Sequence, residues 1–160
     1  MSSIPHPVRP VCPAGAACGH AAGDAALASL GFAARLVIWA ARRWMTDKGD
    51  PHGSGLQIAE AFRLARCQPA LPALDEIMLM AVHGACRPVS FGAEAGLTSD
   101  EVALLRSVAA FQDEAVIGGE RALETWLPAS TARLASEPAL RLARALGRAG
   151  LYVRPRGRTN

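Results

Sequence analysis

Cys12, Cys18, His20 and Cys67 together supply three thiols and an imidazole, the donor set of a tetrahedral structural zinc site. Their spacing matches no zinc signature: five residues separate Cys12 from Cys18, and Gly19-His20 follow directly. The case for a site rests on topology. If the first three helices alternate in direction, the start of the first, the end of the second and the start of the third share one pole. Cys18, His20 and Cys67 then lie near that pole, with Cys12 within reach. The opposite pole collects His52, His83 and Cys86. The third helix holds Cys67 and Cys86 roughly 20 Å apart, about fifteen residues at ~1.5 Å each, so no disulfide is expected between them. Both also suit small buried apolar positions. No cofactor is expected beyond such a zinc ion.

A second chemistry is carried by arginine. Arg141, Arg144 and Arg148 recur at spacings of three and four on one helical face, and Arg154, Arg156 and Arg158 follow on a tail with Pro155 and Gly157. From Arg133 onward seven arginines face one acid, Glu137, a net charge of +6; the preceding 132 residues hold ten basic and thirteen acidic side chains, a net of −3. A basic quarter on an acidic body can follow a phosphate backbone, with binding that weakens steeply as salt rises. Tyr152 is the one aromatic nearby that can stack on a base, and no helix-turn-helix or other reader of bases is evident. A solvated helix face with a basic tail accounts for the same residues.

Nucleophilic catalysis finds no motif: the chain has no G-x-S-x-G turn. Gly53-Ser54-Gly55 ahead of a helix offers free amides to an anion, but it lacks the lysine and the spacing of a phosphate loop. The acid pairs Asp75-Glu76, Asp100-Glu101 and Asp113-Glu114 are sequence neighbours, which splay about 100° apart around a helix. They read as capping and surface residues. No catalytic residue is assigned, and an enzyme is not expected.

The elements that would position these groups are helices. Leu97-Thr98-Ser99-Asp100-Glu101-Val102 has Thr98 to cap the first amides, Glu101 to reach back, and Leu97 with Val102 as a hydrophobic staple. That helix is expected to run to Ile117 and to break at Gly118-Gly119, with a short helix from Glu120 to Leu127. Upstream, a helix from Asp24 to Met45 carries the seam Leu27, Leu30, Ala34, Val37, Ala41 and Trp44. Arg35 and Arg42 lie on another face, toward solvent or a partner; Trp39 lies off the seam, where it can mark a pocket or an oligomer contact. A second helix is expected from a Ser54/Gln57 capping box to Gln68-Pro69, and a third from Leu71 to His83, the two forming a hairpin. Arg87 to Gly96 reads as loop. The last region is expected to hold one or two helices, broken or kinked at Pro138, which suits the first turn of a new helix with Ser136 as cap, and to end near Gly147 or Gly150.

Hydrophobic residues make up 51% of the 160-residue chain and aromatics only 5%, which excludes a disordered chain and disfavours sheet. The expectation is an all-α, compact single-domain bundle of five to seven helices: an irregular lead-in over 1–22, a helical domain over 23–150, and a basic tail over 151–160. The Pro-rich start carries only Arg9 and no apolar run, unlike a signal peptide, and Arg35 interrupts the most apolar stretch, unlike a membrane span. A cytoplasmic protein is expected. Strong packing signals without catalytic ones point to a non-catalytic protein-interaction or regulatory module, binding a protein partner or itself. Nucleic-acid binding through the arginines and a metal-dependent protein are the two rivals.

Overall fold

The computed structural model describes residues 29–46, 54–92 and 96–154. Among them are six α-helices and no strand: α1 (Phe32–Thr46), α2 (Ser54–Leu64), α3 (Leu71–Gly84), α4 (Ser99–Gln112), α5 (Val116–Glu124) and α6 (Ala129–Arg148). A 3-10 turn, Gln68–Ala70, links α2 to α3. The all-α bundle expected from composition is what the chain forms. The long α6 runs along α3, α4 and α5, while α1 joins the two halves through α3 and α4.

Small side chains set how closely the helices approach. Of 32 buried apolar residues among those described, thirteen are alanine and three are aromatic: Phe62, Phe111 and Trp126. The α1 seam is buried at Ala34, Val37 and Ala41, and so are Ala33, Leu36, Ile38 and Ala40 around it. Such a wide apolar arc places a helix in contact with neighbours on more than one side. Ser29 and Leu30 form a turn and bend ahead of Phe32, so no helix runs continuously from Asp24, which lies outside the described residues.

The helix ends explain where the expected boundaries shift. α4 stops at Gln112 rather than Ile117: Glu114 takes a left-handed conformation (φ 58°), its amide bonds the Phe111 carbonyl and the Ala115 amide bonds that of Ala110. This is the Schellman pattern, with glutamate where glycine is usual. α2 ends in the same way at Arg66 (φ 57°), with Arg66 bonded to Arg63 and Cys67 to Phe62. Among the described residues, only the end of α6 uses glycine in this way, at Gly150.

Gly118 and Gly119 do not break a helix; they lie inside α5. A Cβ on Gly119 would stand 2.6 Å from the Phe111 ring, so glycine here lets α5 press onto that ring. Pro138 likewise does not divide α6. The helix passes through it, and Ser136 bonds the Ala132 carbonyl four residues back instead of capping a new start. Past α6, Gln112 grips the chain with two bonds of 2.8 Å, donating to the Leu151 carbonyl and accepting from the Val153 amide. Val153 is buried.

The first turn of α4 holds the loop before it and α1 together. Thr98 and Glu101 form the capping box in full, the Thr98 amide donating to Glu101 Oε2 (2.8 Å) and the Glu101 amide to Thr98 Oγ1 (3.1 Å). Asp100 and Glu101 are nevertheless not surface residues: both are wholly buried. Glu101 also accepts from the Gly92 amide (2.9 Å) and from Arg42 through Nε (2.6 Å) and Nη2 (2.9 Å). Asp100 accepts from the Ser90 amide (2.8 Å) and from both terminal nitrogens of Arg87. Because sequence neighbours splay around a helix, the two carboxylates reach different segments and both sit at the positive helix end. Arg42 is thus only partly exposed and is engaged within the fold; its second acceptor is the Gly96 carbonyl (2.7 Å). Phe91 of the loop packs edge-on against Trp126, ring centres 5.8 Å apart.

Candidate functional site

The arginines of α6 divide. Arg141 bonds Glu76 of α3 and lies 3.9 Å from Glu137, so its charge is engaged within the fold. Arg144, Arg148 and Arg154 are exposed, with no ion pair among the described residues. Arg144 and Tyr152 line one hollow of about 470 Å³ between α6, the α4 end and the chain after α6. Arg156 and Arg158 lie outside the described residues.

The proposed zinc ligands Cys12, Cys18 and His20 also lie outside them, as does His52. Cys67 sits at the end of α2 with its side chain fully buried, and burial pushes its thiol above the ordinary value. That environment favours a protonated, apolar thiol. His83 at the end of α3 and Cys86 beyond it are exposed, and Cys67 and Cys86 are both free thiols. Among the described residues no three His, Cys, Asp or Glu side chains gather around a point where a metal ion would sit.

Trp44 is half-buried; burial raises the Asp75 carboxyl above its ordinary range, and the nearby Trp44 indole opposes the rise. Trp126 is core. Trp39 stands apart, and a surface is built around it. On α1, Phe32, Leu36 and Trp39 recur at spacings of four and three, a second apolar stripe beside the buried seam. On α2, Leu56 and Leu64 project outward while Ile58 and Phe62 enter the core. Between the two helices lies a groove of about 690 Å³ lined by Phe32, Leu36, Trp39, Ala61, Leu64 and Ala65, with Arg35 at its edge. It continues past Trp39 and Leu64 into a shallower hollow that reaches Leu56 and Glu60.

Four of the nine large apolar side chains left exposed among the described residues stand on this one face: Phe32 (56%), Trp39 (41%), Leu56 (74%) and Leu64 (68%). Single exposed apolar residues are ordinary, whereas a contiguous apolar patch marks a contact surface. Of these residues only Trp39 stands out in the sequence. The signal for the rest is the i, i+4, i+7 repeat of Phe32, Leu36 and Trp39, out of phase with the seam. Comparison with protein-family models, with curated proteins and with solved structures finds no match to this chain.

Proposed function

We propose that the chain is a protein-interaction module that docks a protein partner on the α1–α2 face. One observation carries the reading: the apolar groove around Trp39 is continuous, flanked by charge at Arg35 and Glu60, and covered by no other helix among the described residues. An aromatic side chain at the centre of an apolar surface with a polar rim is the usual composition of a binding hot spot. The partner that fits is a helix presenting apolar residues at spacings of three and four, with a carboxylate opposite Arg35.

Affinity capture with the full chain, identification of what is retained and reconstitution with that purified protein tests the reading. Trp39→Glu and Leu64→Glu change exposed positions and should keep the helical circular-dichroism signal. Each is expected to weaken the reconstituted complex about a hundredfold, within the range of hot-spot truncation. Equal binding by the wild type and both variants would overturn the reading.

A second reading, accessory binding to nucleic acid, is favoured by the shared hollow of Arg144 and Tyr152 beside the exposed Arg148 and Arg154. It expects affinity for a single-stranded oligonucleotide to fall steeply with salt. Replacing Arg144 and Arg154 together by Gln should lower the slope of log K against log salt by about 1.4, at roughly 0.7 per phosphate contact on a single strand. An unchanged slope would remove it.

A further inference from the structure

The α1–α2 face carries both signs of charge on opposite helices, and that arrangement names an occupant. Arg35 stands exposed on α1 between Phe32 and Trp39, its guanidinium making no hydrogen bond or ion pair among the described residues. Glu60 stands exposed on α2, bonded to Arg63 on its own helix through both carboxylate oxygens at 2.6 Å. A carboxylate has lone pairs for a second guanidinium beside the first. An isologous contact brings residue i against residue j and, by symmetry, j against i. Laying α1 of one copy along α2 of another therefore sets Arg35 of each beside Glu60 of the other, twice, while the two apolar grooves close on each other. A second copy of the same surface supplies both halves of that pairing, a carboxylate for each Arg35 and a guanidinium for each Glu60.

We infer that the occupant of the α1–α2 face is a second copy of this chain, joined by a two-fold contact that packs α1 and α2 of both copies into a four-helix layer. The inference rests on the docking reading above and goes further by naming the partner. Trp39, shared by both parts of the groove, lies near the two-fold axis with Leu64, and Arg35 and Glu60 flank them.

Light scattering across a concentration series of the full chain tests it. The mass should move from the 16.7 kDa of one chain to twice that by about 100 μM, a concentration at which a micromolar complex is formed. Trp39→Glu and Leu64→Glu should hold the protein at the mass of one chain. Arg35→Glu alone and Glu60→Arg alone should each weaken association about tenfold, since every reversal acts twice in a symmetric contact. Arg35→Glu combined with Glu60→Arg should restore it. That rescue is a readout that misfolding of a single variant cannot imitate.

A wild-type chain that keeps the mass of one copy throughout overturns the inference, and so does a dimer that all four single substitutions leave unchanged. In the first case the docking reading is judged separately. If a captured partner is lost with Trp39→Glu, the face belongs to another protein and only self-association falls. If nothing binds there, both fall.

Discussion

Replacing Glu101 by alanine is expected to lower the unfolding free energy by about 3–5 kcal/mol, the loss measured when one partner of a buried ion pair is removed. All four bonds to the carboxylate come from groups that then lose their acceptor: the Thr98 and Gly92 amides and two nitrogens of Arg42. Arg42 retains the Gly96 carbonyl and is partly exposed, which holds the loss to single figures rather than the far larger penalty of an isolated buried charge. A domain of this size has about 5–15 kcal/mol in total, so the variant should be close to unfolding at 37 °C. Glu101→Gln keeps the shape and one accepting oxygen, and should lose about 1–3 kcal/mol. Urea titration of the three proteins gives the values, and an alanine variant within 1 kcal/mol of the wild type would show that the Glu101–Arg42 pair is dispensable.

The neighbouring carboxylate adds a pH dependence of known sign. Burial acts to raise the Asp100 carboxyl, but the bonds from Arg87, Ser90 and Ser99 together outweigh it and hold the group below its ordinary value. Its folded form therefore binds protons less readily than the unfolded chain. Its contribution is fully present above the ordinary aspartate range, about pH 4, and is lost as pH falls through the lower folded value. Asp100→Asn should remove that part of the acid-side decline. Asp75 has the opposite sign: burial raises it, so its ionisation opposes folding at neutral pH and the opposition relaxes as the pH falls.

Gly119→Ala is expected to destabilise by about 1–3 kcal/mol, the usual range for overfilling a packed core, although alanine is the better helix former by about 1 kcal/mol. Sterics decide the sign. The new Cβ would fall 2.6–2.8 Å from three ring carbons of Phe111, a buried and rigid group. Gly118 is the internal control. A Cβ there meets only the Ala110 and Ala115 Cβ atoms at 3.7 Å, an ordinary contact. Gly118→Ala should therefore keep the propensity gain and stabilise by up to about 1 kcal/mol. Thermal melts of the two variants check this, and a stabilised Gly119→Ala would mean that the ring gives way freely.

These sites also mark where sequence reasoning succeeds and where it stops. The Thr98/Glu101 box is local, a side chain and an amide three residues apart, so reading residue types in order finds it. That Glu101 is buried goes with its pairing to Arg42, 59 residues away, and that Asp100 is buried with its pairing to Arg87, 13 residues away; no local pattern records those distances. Gly118-Gly119 reads as a helix break because glycine is a poor helix former, yet its reason is the Phe111 ring on another helix. Arg66 and Glu114 end helices in a conformation that normally announces itself through glycine, so the two true boundaries leave no trace in composition. The face around Trp39 is legible in part. Its α1 stripe follows a helical period, whereas Leu56 and Leu64 stay exposed because no other helix among the described residues packs there.

The alanine-rich interior shapes how this chain can change over generations. At thirteen buried positions the side chain is already a single methyl group, so truncation has little left to remove and few substitutions there can open a void. Most replacements instead add atoms where neighbouring helices already touch. These positions are thus brittle toward growth and lose little packing to shrinkage, although glycine in a helix there gives up about 1 kcal/mol of propensity. Neutral drift should concentrate in exchanges among alanine, glycine and serine, and larger residues should enter only when a facing residue shrinks in the same lineage.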